Sequence, residues 1–282
     1  MRMTLKFACK DGRAQLVAGP TNQLIDLETV SNGKFDSDPN NAFARWAELR
    51  EFAATVTPSG PSANPATLDA PSPRPLQVFG IGLNYRSHAE EGGMPIPATP
   101  LTFTKFPTSV AGPNADIPIV GNAIDWEVEL VVVIATGGRD IAKGDAWDHV
   151  AGICVGQDIS DRALQFATQP PQFNLGKSRK NFSPFGPWLI DAIDVPNRDA
   201  LVMHMTLNGD EMQRTVTDDL IFSVSDIISY LSEIVELLPG DVIFTGTPSG
   251  VGGSRKPARF LAPGDILVST IEGVGTTTNK CV

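Results

Sequence analysis

The chain has 282 residues, of which 41% are hydrophobic and 19% charged, and its formal net charge is −10. That length suits one large domain or a main domain with a small attachment, and the composition is that of a packed protein, not a disordered one. The acidic balance repels phosphate backbones and argues against nucleic acid as a partner, while a few local cations or a metal still allow a small anion in one pocket.

In chain order, the first ten residues alternate too much, and reach Lys10 too soon, to read as a secretory leader. Leu5, Phe7 and Cys9 alternate with polar positions up to Asp11-Gly12, a hairpin signal, and Gln15-Leu16-Val17 returns. Phe43, Trp46, Ala47 and Phe52 then recur at roughly helical spacing. Residues 1–56 therefore read as a small N-terminal αβ domain. Residues 57–75 carry Pro58, Pro61, Pro65, Pro71, Pro73 and Pro75, a semi-rigid linker with no packed face of its own. From 76 to 282, short apolar strands alternate with glycine- and proline-rich turns. The exception is a helix over residues 224–238, with a stripe of Val224, Ile227, Ile228, Leu231, Ile234, Val235 and Leu238, a cap at Ser223 or Ser225, and Pro239-Gly240 at its end. Many short strands and few long helices predict an α+β, mainly β fold.

The longest aliphatic run, residues 130–135, is too short to span a bilayer, so no membrane partner is expected. Cys9, Cys154 and Cys281 lie far apart with no CxxC spacing, which predicts neither a disulfide framework nor a zinc site and points to the cytoplasm. Several familiar motifs fail. Gly176-Lys177-Ser178 has Pro171 where a P-loop needs its first glycine, and Gly80-Ile81-Gly82 meets Tyr85 in place of the third dinucleotide glycine. Residues 246–250 miss the GxSxG elbow by one position, and the three histidines, His88, His149 and His204, cannot make an HExxH helix.

The best chemical signal is Asp125-Trp126-Glu127-Val128-Glu129, running into Leu130 and three valines. Side chains on a strand alternate faces, so Glu127 and Glu129 project together, with Asp125 beside them. Carboxylates gathered on one face of a buried strand repel one another unless a cation sits between them. Asp158, after the apolar Ile153-Cys154-Val155-Gly156, supplies a third oxygen ligand, and such a set favours Mg²⁺ or Mn²⁺ over zinc. Spacing alone leaves open that these acids simply face water. In Asn84-Tyr85-Arg86-Ser87-His88-Ala89-Glu90-Glu91, a helix would put His88 and Glu91 on one face, where the carboxylate fixes the imidazole tautomer of a general base. An exposed, incidental pair is the plainer alternative, and Lys177 could equally be solvated.

Together and in this order, the motifs resemble the fumarylacetoacetate hydrolase superfamily over roughly residues 76–282. The resemblance rests on Gly82-Leu83-Asn84-Tyr85 with His88 and Glu91, the 125–130 acidic segment, and Asp158-Ile159-Ser160 with Arg162 and Gln165. It continues through Gly176-Lys177-Ser178, Gly186-Pro187-Trp188, Asn208-Gly209, residues 238–243, residues 245–252, Gly264-Asp265 and residues 271–275. It implies a mixed β-roll catalytic domain behind a small N-terminal domain, usually dimeric. It also implies metal ligation by Glu127, Glu129 and Asp158, a catalytic dyad of His88 and Glu91 on a segment that orders over substrate, and pocket positions for Lys177 and Thr247. Arg162 and Gln165 fall where members contact substrate. One departure stands out: Arg179-Lys180-Asn181 replaces a common Phe-Asp-Thr, which puts a base for an acid beside the site and suggests an altered pocket.

The implied activity is acylpyruvase-like hydrolysis of a carbon–carbon bond in a small anionic 2,4-dioxo acid, of the kind met in aromatic compound catabolism. His88 would activate water, and the metal with Lys177 would stabilise a pyruvate enolate. Decarboxylation of oxaloacetate-like acids and isomerisation of 2-hydroxyhepta-2,4-diene-1,7-dioate-like acids use the same site. A non-catalytic, metal-dependent carboxylate binder is the rival from another class, and the general base argues against it.

Overall fold

The computed structural model describes residues 4–282, so the first three positions of the opening segment lie outside the described residues. The fold is α+β and dominated by sheet, as the strand pattern predicts. Its centre is three antiparallel strands, Val128–Ile134, Val150–Gln157 and Ser183–Asp191, in which every residue is buried. The β-branched run of the first explains this, because a strand covered on both faces has no position that tolerates water. Val242–Phe244, Val78–Gly82 and Leu101–Thr104 extend the sheet on one side, and Lys6–Lys10, Arg13–Ala18 and Gln23–Asp26 extend it on the other.

Alternation divides the side chains between two cores. Val128, Leu130 and Val132 pack toward a four-stranded sheet, through Met203, Met205 and Leu267, and toward the helix Val224–Ile234. Val131 and Val133 pack with Phe7, Leu16, Phe43, Trp46 and Leu49 on the other face. The Asp11-Gly12 hairpin forms as read, with both residues at positive φ (52° and 73°), the conformation that matches the twist of the flanking strands.

Two local expectations are corrected. The helix starts at the expected cap, a reciprocal Ser223–Asp226 box, but ends at Ile234 and not at residue 238. Val235 is extended (φ −125°, ψ 151°), and Leu237 exchanges backbone hydrogen bonds with Gly138 at 3.0 and 2.9 Å, so strand pairing takes the groups that another helical turn would need. The 43–52 periodicity resolves into two short helices, Pro39–Phe43 and Trp46–Ala53. Among the described residues no helix is long and apolar enough to cross a membrane.

The proline-rich stretch is tied down along its length. Pro61 O accepts from Leu24 N, Ala63 N donates to Asn22 O, Asp69 N donates to Cys9 O, and Ser72 Oγ donates to Gly240 O. Strands from residues 6–26 continue the sheet of the later chain through Lys6–Lys10 and Ser183–Asp191. The arginine of one helix also reaches across, Arg50 Nε pairing with the buried Asp191 at 2.5 Å. A fragment of residues 76–282 would expose one face of Val131, Val133, Phe185 and Leu189 to water. It is expected to be recovered aggregated on expression; a soluble, cooperatively unfolding fragment would uphold the division into two independent domains.

Candidate metal centre and substrate cavity

Backbone pairing brings the acids together. Val128 lies opposite Gln157 in register, Glu127 N donates to Gln157 Oε1 at 3.0 Å, and Asp158 N donates to Glu127 O at 2.9 Å. Carboxylate oxygens of Glu127, Glu129 and Asp158 lie within 4.8 Å of one another, and all three residues are buried. Glu129 is held from the far side by Gly246, whose N–H donates to Oε2 at 2.7 Å. Only glycine serves there: Gly246 has φ +107°, and a Cβ would stand 2.7 Å from Asn84 Cβ.

Three cations crowd the same cluster. Lys177 Nζ donates to Glu127 (2.6 Å) and Asp158 (2.7 Å), Arg162 pairs with Glu127 (2.7 Å) and Asp125 (2.8 Å), and Lys105 donates to Asp158 and to Phe182 O. Burial pushes the Glu127 carboxyl up, but Lys177 and Arg162 outweigh it and hold the group down at about 2. Burial raises Glu129 well above the usual carboxylate range, and the neighbouring Asp158 and Glu127 charges raise it further. Lys177 is opposed by burial yet raised by Asp158 and Glu127, whereas burial lowers Lys105. Among the described residues no ion pair reaches Glu129, so it carries the cost of two like charges beside it. An all-carboxylate donor set with such a residue fits a hard divalent ion, which would relieve that repulsion.

Asp125 does something else. Its Oδ1 accepts from Trp126 N and Gly252 N, and its Oδ2 from Gly253 N and Arg162 Nε, so it anchors the loop over the site.

A cavity of about 900 Å³ opens beside the acids and is lined by His88, Glu127, Arg162, Gln165, Lys177 and Thr247, among others. Glu129 and Asp158 lie behind this lining. His88 and Glu91 share the helix Arg86–Gly92, with Nδ1 and Oε2 3.2 Å apart, and Glu91 Oε1 accepts from Gly250 N at 2.9 Å. Gln165, a residue of the cavity lining, is 1% exposed, and its buried Nε2 has no acceptor among the described residues. Thr247 lines the cavity, but its hydroxyl donates to Val128 O and accepts from Gln213 Nε2, so hydrogen bonding commits it to the scaffold.

Arg179 pairs with Asp161 at 2.8 Å and lies outside the cavity lining; Asn181, at φ 62°, donates through Nδ2 to Asp116 O. Lys180, which stands where the common pattern has its acid, is exposed and also lies outside the cavity lining, so neither base adds charge to the pocket wall. Lys105 was not singled out by sequence reasoning. Its signal was the alternation Phe103–Lys105 at the end of an edge strand, which sends a lysine to the same face as a phenylalanine and leaves it 1% exposed.

A buried acid cluster at a cavity shared with a histidine–carboxylate pair is the construction of an enzyme that activates a small polar molecule at a bound cation. The chain belongs to the fumarylacetoacetate hydrolase family: residues 77–282 match the family described as fumarylacetoacetate (FAA) hydrolase, C-terminal. It is 40% identical to human oxaloacetate tautomerase FAHD2A, mitochondrial, over 96% of this chain and 90% of that protein. The crystal structure of an HpcE-like protein from Mycobacterium smegmatis is 47% identical and covers 98% of this chain and 99% of its own, with a TM-score of 0.93. Maleylpyruvate hydrolase from Sphingobium sp. SYK-6, solved with manganese(II) and pyruvate, is 25% identical over 98% of both chains, with a TM-score of 0.79.

Titration with Mn²⁺ in a calorimeter should reveal one site per chain. Asp158→Asn should weaken it by more than about 100-fold, beyond the 10–100-fold typical of residues that only orient a ligand. An unchanged affinity would remove Asp158 from the ligand set.

Proposed function

We propose that this chain is a Mg²⁺- or Mn²⁺-dependent enzyme that takes a small 2-oxo acid through its enolate, and that hydrolysis of the C3–C4 bond of a 2,4-dioxo acid is the reaction its histidine serves. The observation that carries this is the His88–Glu91 pair facing the same cavity as Glu127 and Lys177. Glu127, Glu129 and Asp158 would hold the ion, which supplies Lewis acidity to the oxygens of a 2-oxo acid when bound. His88 accepts a proton from the water that attacks C4, and Glu91 holds the imidazole in the tautomer that can do so. Lys177 offers its ammonium to the negative charge that appears as the bond breaks, in a buried setting where such a charge interaction is strong. Gln165 Nε2 and Arg162 offer donors to the substrate's oxygens, and the proton that His88 gains goes to the departing carbon, leaving a carboxylic acid and pyruvate.

A second reading, keto–enol conversion of oxaloacetate, is favoured by the 40% identity to a relative named for that reaction. It needs a base and an acid but no hydrolytic water. We also assign the protein to the cytoplasm, on its three buried free thiols, and take it as a homodimer; a monomer mass in light scattering would reject that state.

His88→Ala should lower kcat for acetylpyruvate cleavage by about 10²–10⁴, the range for loss of a general base, with Mn²⁺ affinity intact. Oxaloacetate decarboxylation, which needs no hydrolytic water, should fall less. Oxaloacetate conversion without cleavage of any acylpyruvate would select the second reading. Inertness toward both, with carboxylate binding retained, would select a non-catalytic binder.

A further inference from the structure

The cavity beside the metal acids is large and, away from one patch, uncharged. Its volume of about 900 Å³ lies toward the top of the range for sites that enclose drug-sized molecules, so a three- or four-carbon acid would leave most of it unfilled. Apart from His88 and the phenol of Tyr230, the ionisable side chains in its lining are Glu127, Arg162 and Lys177, and ion pairs join these three into a single patch. Both cations stand with the acids at the end of the cavity that would hold the 2-oxo carboxylate, Arg162 paired with Asp125 and Glu127, and Lys177 with Glu127 and Asp158.

The wall that continues from this patch is aromatic. Lys177 Nζ stands 5.3 Å over the Phe103 ring, Phe103 meets Phe173 edge-on at 5.9 Å, and Phe173 meets Phe166 edge-on at 6.0 Å. Leu101 and Phe166 also face the cavity and are 49% and 55% exposed, an apolar surface that gains by being covered. A second carboxylate placed against these rings would lose water, and the lining offers it no lysine or arginine beyond the two that serve the head, inside a chain already at −10.

Resting on the reading of the site as one for 2-oxo acids, we propose that its natural substrate carries an apolar, aryl-sized group at the end remote from the 2-oxo carboxylate. The cavity would then select monocarboxylic 2-oxo acids with bulky apolar tails over dicarboxylic ones. The Lys177–Phe103–Phe173–Phe166 series is what measures the tail: the head is gripped at the charged patch, and edge contacts between rings fix where the next ring can lie.

The test compares two ligands with the same head, phenylpyruvate and 2-oxoglutarate, titrated calorimetrically into the Mn²⁺-loaded full chain. Phenylpyruvate is expected to bind tighter by on the order of tenfold, the return for covering part of a phenyl ring. Phe166→Ala, at a position more than half exposed and so tolerant of truncation, should shrink that ratio, where a general loss of folding would weaken both ligands alike. Equal affinities, or a preference for 2-oxoglutarate, would overturn the proposal and leave the 2-oxo acid reading standing. Failure of both acids to bind would overturn that reading, and this inference with it.

Discussion

Three buried carboxylates whose oxygens lie within 4.8 Å of one another are the constraint around which this molecule is arranged. Left alone, Glu127, Glu129 and Asp158 would repel one another strongly in a medium of low dielectric. The fold answers with lysines from two separate segments, an arginine from a third, and a glycine N–H from a fourth. The central strands must be buried on both faces to keep the cluster dry, and the flanking turns must come close enough to deliver the opposing charges. Much of the sheet topology can be understood as the scaffolding for that balance. The residual imbalance falls on Glu129, whose carboxyl is driven upward by burial and by its two neighbours.

The charge pattern also explains why the site's polar and apolar parts are so sharply divided. Arg162 and Lys177, the arginine and lysine of the cavity lining, both pair with the acids. What remains for the rest of the lining is neutral, and the aromatic residues near the edge strand Leu101–Thr104 and the segment 166–173 fill it. The protein's net acidity therefore coexists with a pocket whose lysine and arginine are gathered at one end.

Much of this was legible in the sequence because local periodicity and physical environment agree there. The acidic strand declared itself by a Val-rich continuation, the Ser223 helix by its cap and stripe, and the first hairpin by Asp11-Gly12. The remainder depends on contacts between distant segments. Nothing local to residues 235–238 announces that Leu237 will pair with Gly138, so the helix reads four residues too long. The bases at 179 and 180 read as a change of the pocket until Asp161, eighteen positions before Arg179, is seen to hold the first, while the second stands exposed outside the lining. Thr247 is marked by its motif, yet whether its hydroxyl serves substrate or scaffold is decided by Gln213 and Val128. Lys105 is the most instructive omission: a single lysine after an edge strand looks solvated, and only the long-range placement of Asp158 makes it a member of the site. Family resemblance recovered collinear motifs, and physical pairing decided what each residue does.

The loop over residues 246–253 reaches the site at three points. Gly246 N–H holds Glu129, Gly250 N–H holds Glu91, and Gly252 and Gly253 N–H groups hold Asp125 and through it Arg162. Glu129, Glu91 and the Arg162 guanidinium thus hang from one short run of backbone amides, like instruments bolted to a single bench. If the bench shifts, all of them shift together and their mutual alignment survives. Precision in this site is therefore relative and not absolute, and the chemistry can tolerate breathing of the surrounding protein so long as these amides move as one.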